Sequence, residues 1–488
     1  MSITKVTNSM ISGAPFSVLD YGAIGNGIAD DTSAIQATLD AAATAGTCIY
    51  IPSGTYKTTS ALTIPERVGI KGNSADSSII RPTGCDGLIF AVSNGIGPVV
   101  LEDFWVYGDG SSTYNGISYA GTIDAALKVY GLRINRVKVQ NFRDAINLRS
   151  VWNSSITNCI LYFNVFGVVL RGQCVKIDVR NNWIHHNLLG STTPTATGVY
   201  VASTFDYDPS GITEKRPEDI QIHENLIYGF PYGIKLNNGL FLTANNNDID
   251  ATTNTGVVIG TLGGVLNINE NWIGLVGASV NAGIASSELS TSNNIQKNIT
   301  GNDINSVVLS PFGIILETNQ HNVNIQGNSI SNTNQDIYLH SCGDIVVSGN
   351  NLQGTTTNVY VISSPASREI TISDNQFAGE IFCHPTNNSQ IVFGQNHGPT
   401  STLIRGKSII AAGATSITTT FASLSSAPSN FAAPSNYIVP HLFIQAPTQN
   451  VGYVWGVVTD GQVTIYCTIG PATDMTVVWE VKGFPYAL

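Results

Sequence analysis

Between about residues 130 and 395 the sequence repeats one motif: a small residue, an aliphatic pair, I-x-I, an asparagine and another aliphatic. The asparagines fall at Asn158, Asn182, Asn225, Asn247, Asn271, Asn302, Asn328, Asn350 and Asn375, separated by 24, 43, 22, 24, 31, 26, 22 and 25 residues. A second column keeps the same beat at Ala145, Gly167, Gly198, Gly233, Gly256, Gly283, Gly313, Asp336 and Asn358. The residue after each is β-branched: Ile146, Val168, Val199, Ile234, Val257, Ile284, Ile314, Ile337 and Val359. Two columns in one register, with a period in the low twenties, predict a parallel β-solenoid. One coil cannot bury its apolar face alone. Stacking at about 4.8 Å per coil aligns the aliphatics into a continuous core. The asparagines are then expected to form a ladder, amide to amide, inside a tight turn. A leucine-rich repeat would need far more leucine and helical spacing.

Composition removes other classes. Charged residues make up 11% and hydrophobic ones 42%, too few charges for a disordered chain or a coiled coil. The net charge of −11 argues against a nucleic-acid partner, which requires a basic face. No apolar run approaches the roughly 18 residues of a membrane span, so no membrane partner is expected. The opening MSITKVTNSMISG lacks a charged leader followed by an apolar stretch. Seven cysteines are scattered without CxxC spacing, which speaks against a zinc site or disulfide framework and fits assembly in a reducing cytoplasm. No acidic cluster has calcium-loop spacing; neither a metal nor a cofactor is assigned.

Outside the repeat the patterning changes. Residues 31–45 (DTSAIQATLDAAATA) place Ile35, Leu39 and Ala42 on one helical face, with Asp31 as N-cap and Gly46 as the stop. Such a helix would cover the open end of the solenoid, where unpaired strand edges invite aggregation. From about residue 399 the beat ends in the junction SSAPSNFAAPSNYIVP. Beyond it, HLFIQAP, YVWGVVT, QVTIYCTI and MTVVWEVKGF read as antiparallel strands, with Asp460-Gly461 as a hairpin turn. This module is expected to trimerise or cap the chain, or to bind carbohydrate through Trp455, Tyr466 and Trp479.

The run FSVLDYGAIGNGIADDTSAIQATLDAAATAG, followed by IYIPSGTY and VGIKG, resembles the opening segment of the pectate-lyase-like superfamily. Within it, a chain opening VTNSMISGAPFSVLDYGA is similar to bacteriophage tailspike depolymerases. The resemblance implies an all-β fold: a right-handed parallel β-helix, here with an N-terminal capping helix and a C-terminal antiparallel β-sandwich. It also implies a homotrimer of the virion tail that binds, and usually cleaves, a bacterial surface polysaccharide. Only about 13 residues precede the motif, so a virion-attachment domain is expected to be missing or carried by another virion tail protein. The expected domains are a leader at 1–13, a capping helix and first coils at 14–130, the regular β-helix with the glycan groove at 131–398, and the β-sandwich at 399–488.

A packed β-helix has no internal pocket, so its chemistry must sit in an external groove. In the glycine-column strand the second and fourth residues after the column point outward. They include Tyr200 and Lys235 at the second position, and Arg149, Arg171, Asn237, Glu317 and His340 at the fourth. The coil from Asn182 to Asn225 is 19 residues longer than its predecessor, and the additions flank the strand around Tyr200 on both sides. Insertions in a solenoid map to surface loops, often on the binding face. The longer loop is charged, with seven Asp, Glu, Lys and Arg side chains from Asp206 to Asp219.

Hydrolysis needs two carboxylates about 5 Å apart for retention or about 6.5–9.5 Å apart for inversion. Asp206, Asp208 and Glu214 are the expected catalytic acids. Arg149 and Arg171 would hold anionic substituents, Tyr200 would stack on a sugar ring, and Lys235 and Asn237 would complete the substrate site. Glu317 and His340 on neighbouring coils, with Glu288 nearby, are an alternative acid/base pair. Weaker candidates are Glu224 with Glu270, and the column His185, Tyr228 and Asp250. Asp144 matches the position of one acid of the polygalacturonase branch, but the next coil offers Val165-Phe166, so that branch's catalytic set is absent. A lyase acting on uronates and a non-catalytic adhesin are the competing functions.

Overall fold

The computed structural model of the 488-residue chain describes residues 14–91, 97–111, 113–120, 129–186, 193–201, 216–237, 239–260, 264–277, 279–286, 295–317, 320–362 and 369–383. It further describes 391–393, 396, 402–410, 416–420, 441–444, 454–459, 462–467 and 475–483. They fall into two compact units, Met1–Asp303 and Ile304–Leu488. In each, strands pair in parallel from coil to coil, so the fold is a parallel β-helix. A single α-helix is present among the described residues.

That helix spans Thr32–Ala45 and buries Ile35, Leu39 and Ala42, with Gly46 at φ 67° ending it in the left-handed conformation. Asp31 occupies the N-cap position, but its carboxylate does not cap the helix. It accepts instead from the amides of Ile24 (2.7 Å) and Gly25 (3.0 Å), tying down the preceding loop. Gln36 faces the strand Leu62–Ile64 and both donates to and accepts from the Thr63 backbone, at 3.0 and 2.9 Å. Its amide thereby mimics a neighbouring strand on an otherwise open edge.

Each coil has three faces. One coil runs through Val151–Thr157 on the first, Ile160–Tyr162 on the second and Phe166–Arg171 on the third; the next runs through Val175–Arg180, Trp183–His185 and Thr197–Val201. At the corner between the first two faces one residue per coil is left-handed, including Arg136, Asn158, Asn181, Glu224, Asn246 and Glu270 at φ 51–57°. The ladder residue follows it. Asn182, Asn225, Asn247, Asn271 and Asn302 are buried and linked side chain to side chain, Nδ2 to Oδ1, at 2.9 Å per step. In the unit Ile304–Leu488 the same chain of amides joins Asn328, Asn350, Asn375 and Asn396 at 2.8–3.1 Å.

One rung departs from the expected ladder. Asn158 sits at the left-handed position itself, φ 55°, and donates to Asn135 at 2.9 Å. Cys159 takes the buried slot, its N–H bonded to Asn182 Oδ1 at 2.9 Å. Asparagine tolerates this backbone region better than most residues, so either of two adjacent positions could have carried it.

Within the ladder, Asn247 donates to the Ile222 carbonyl and to Asn271, and accepts from the Asn225 backbone and side chain. Asn247→Ala strands these buried partners, so a loss of about 2 kcal/mol is expected in denaturant unfolding. Asn158→Ala, at an exposed corner, should change the midpoint far less.

The C-terminal part contains two three-stranded antiparallel sheets. One joins Thr402–Ile410, Met475–Gly483 and His441–Ile444; the other joins Ser416–Thr420, Gln462–Cys467 and Val454–Thr459. Four of these strands coincide with the segments expected from the sequence. The side chains of Trp455, Tyr466 and Trp479 lie outside what is described.

Candidate functional site: a cationic and aromatic ledge on the third face

Third-face strands stack in an unbroken register. Asn147, Val169, Tyr200, Lys235, Val258 and Ala285 lie one above another, and Arg149 pairs directly with Arg171. Strand alternation buries Ile146, Leu148, Val168, Leu170, Val199, Val201, Ile234 and Leu236 and turns Asn147, Arg149, Arg171, Tyr200 and Lys235 to the other side, while Val169 in the same column is covered. The glycine column lets this face pack closely. A Cβ on Gly198 would lie 2.4 Å from the Ile227 side chain and 2.7 Å from the Gly233 carbonyl oxygen.

Five sequence-predicted binding residues therefore share one ledge. Arg149 and Arg171 are one rung apart, so two like-charged side chains start from backbone positions about 4.8 Å from each other. The buried Nε of Arg171 has no hydrogen-bond partner among the described residues. This pairing suits an anionic group that can bridge both guanidinium planes. Tyr200 stacks on Phe166 with ring centroids 6.1 Å apart and planes 24° from parallel. Lys235 lies next to Tyr200 in register, with Nζ 3.3 Å from the Tyr232 ring centroid. Burial pushes its ammonium down to about 8. Asn237 reaches Tyr200 Oη at 3.5 Å, and its buried Oδ1 has no hydrogen-bond partner among the described residues.

At the foot of the ledge, Asp144 is fully buried. Arg143 grips it with Nε and Nη2 at 3.0 and 2.8 Å, and Asn147 Nδ2 donates at 2.5 Å. It orients Asn147 and Arg143 and is not an available general acid.

The catalytic candidates Asp206, Asp208 and Glu214, and Glu288 as well, lie outside the described residues. Glu224 and Glu270 occupy left-handed corner positions beside the ladder. Glu317 and His340 belong to the unit Ile304–Leu488. There Tyr338 stacks on Tyr360 at 5.4 Å and contacts Phe312 at 5.1 Å, with the His340 ring 6.2 Å away. Burial, and after it the Glu317 charge, raises the Tyr338 hydroxyl above its usual range.

Two further surfaces lie off the ledge, the first of them containing the column His185, Tyr228 and Asp250 expected from the sequence, which the register pairs rung to rung. The second face carries an aromatic strip in which Tyr162, Phe163, His185 and Tyr228 follow one another at centroid distances of 4.9, 5.7 and 5.1 Å. The sequence signal was the alternation W-x-H and L-x-Y directly after Asn182 and Asn225. On the first face, a polar trough crosses the rungs that contain Arg133, Ser155 and Asp178.

The sequence matches the family described as rhamnogalacturonase A/epimerase, pectate lyase-like, over residues 15–261. The tail spike protein of Shigella phage Sf6 is 27% identical over 269 residues, 53% of this chain and 42% of that protein. The chain spans less than half the length of the curated relatives it matches. The tailspike protein of E. coli bacteriophage HK620, solved with a pentasaccharide, superposes with a TM-score of 0.62 at 13% identity, covering 96% of this chain and 93% of that one. The catalytic unit of the GH87 alpha-1,3-glucanase from Streptomyces thermodiastaticus gives 0.54 at 18% identity, covering 79% and 69%. The two structural likenesses agree with the β-helix described above. The family match covers the coils that build the ledge as far as Gly260, and the chain belongs to the rhamnogalacturonase A/epimerase, pectate-lyase-like family.

Proposed function

We propose that this chain is a phage tailspike that recognises and cleaves a bacterial surface polysaccharide, capsule or O-antigen, on the third-face ledge. The observation that carries the reading is the register that sets Arg149 and Arg171 at paired positions on neighbouring rungs, beside the pair Tyr200 and Lys235. An aromatic plane with adjacent cations and amides is the chemistry that holds a sugar bearing an acidic substituent. The tail spike of phage Sf6 and the pentasaccharide-bound tailspike of HK620 support the assignment to a glycan. As a tailspike, the protein works at the virion tail as a homotrimer, attached directly or through another tail protein.

In this mechanism Tyr200 and Asn237 seat the sugar, and Arg149, Arg171 and Lys235 fix its anionic group. Two of Asp206, Asp208 and Glu214 act on the glycosidic bond. One protonates the leaving oxygen, while the other activates water or attacks the anomeric carbon. A β-eliminating lyase is the second reading, favoured by the same three cations, because they would steady a uronate while its α-proton is removed.

Incubation with purified capsules and O-antigens separates the readings. New reducing ends with falling viscosity identify cleavage, and among cleaving enzymes an unsaturated product absorbing in the ultraviolet identifies a lyase and its absence a hydrolase. Binding without either identifies an adhesin.

The Lys235 ammonium makes a further prediction. It deprotonates near pH 8, so affinity for an anionic oligosaccharide should be full below that pH and fall as pH rises through it. An ordinary lysine would hold its charge to about pH 10. Lys235→Met should bind more weakly and lose this alkaline limb, as read by calorimetric titration from pH 6 to 9.5.

A further inference from the structure

The first face presents two outward columns, Val100–Arg133–Ser155–Asp178 and Glu102–Asn135–Thr157–Arg180, each residue paired with the next one rung away. At these two column positions the middle rung, Val151–Thr157, carries the short side chains Ser155 and Thr157. The rungs beside it contribute Arg133 below and Asp178 and Arg180 above. This difference in side-chain length opens a trough of about 760 Å³, which Lys176 and Asn153 also line.

Its electrostatics oppose those of the whole chain. The lining holds Arg133, Lys176 and Arg180 against Asp178 alone, a local excess of two positive charges in a protein of net −11. Asp178 is already engaged by Arg180 (Nε–Oδ2 3.3 Å) and by His223 (Nε2–Oδ1 2.9 Å). Arg133 donates to Ser155 at 3.4 Å; neither it nor Lys176 is ion-paired among the described residues. Hydroxyls and amides line the floor between the cations, as a sugar chain requires.

We propose that this trough is a second glycan-binding site, separate from the ledge, which takes a stretch of carboxylate-bearing polysaccharide. Arg133 and Lys176 meet the carboxylates, while Ser155, Thr157 and Asn135 meet the hydroxyls. The site goes beyond the cleavage reading and does not depend on it. It would keep the protein on an acidic polymer while the ledge releases a product, raising the effective concentration of the remaining chain.

The test titrates the full chain with oligogalacturonate, using a neutral dextran oligosaccharide as control. Two binding events per chain are expected for oligogalacturonate, both weakened by salt. Arg133→Ser with Lys176→Ser should weaken one of them at least about tenfold, and Arg171→Ser with Lys235→Met should weaken the other. If the first pair binds like the unaltered protein, the proposal is overturned and the ledge reading stands. If only the first pair matters, the ledge reading fails and the trough stands. A change of assembly mass in the first pair with unchanged sugar binding would assign the trough to contact between copies of the chain and overturn the proposal.

Discussion

Gly233→Val is expected to prevent the chain from reaching its native coil stack, with a loss of at least about 3 kcal/mol. A Cβ there would stand 2.3 Å from Cγ2 of Ile249 and 2.6 Å from the Gly256 carbonyl oxygen. The side chain could give way, but the carbonyl belongs to the next rung and cannot retreat without breaking the register. Valine adds two methyl groups to that clash. The contrasting substitution is Gly46→Ala, where the added carbon meets nothing within 4 Å and only the left-handed φ of 67° is strained. It should cost about 1 kcal/mol. Denaturant melts and soluble yield report both, and equal effects would mean that the column serves backbone freedom instead of close packing.

Removal of the acids should have the largest effect on activity. Asp206→Asn, Asp208→Asn and Glu214→Gln together should reduce polymer cleavage at least about 10³-fold, because general acid–base assistance alone contributes about 10²–10⁴. Binding of the oligosaccharide should persist, since Arg171, Tyr200, Lys235 and Asn237 remain. Each single substitution then sorts the acid, the base and the bystander. Retained turnover in the triple variant would move the chemistry elsewhere, with Glu317 and His340 next to be altered.

Much of this architecture was legible because a solenoid writes its contacts at a nearly constant spacing. The pairings Val168–Val199–Ile234–Val257 follow directly from counting residues after each column glycine. The outward set of Arg149, Arg171, Tyr200, Lys235 and Asn237 follows from strand alternation. What counting could not supply was anything decided by neighbours across the stack. Asn158 and Cys159 compete for one corner, and only the preference for φ above zero decides which is buried. Asp144 matched one acid position of the polygalacturonase branch, but its burial under Arg143 and Asn147 was not readable from its strand. The trough arises because Ser155 lies between Arg133 and Asp178, and none of the three is unusual within its own strand. The second-face aromatics alternate visibly, yet their ring contacts depend on which coil lies above which.

The ladder corner has a consequence for how such a chain diversifies. Asn182 and Asn225 are 43 residues apart in sequence, Asn225 and Asn247 only 22, yet both pairs of amides meet at 2.9 Å. The ladder is thus a spine that leaves the pages free to differ in size. A loop exchanged at the opposite corners need only return the chain to the next asparagine, and new sugar preferences can be grafted there without recutting the frame.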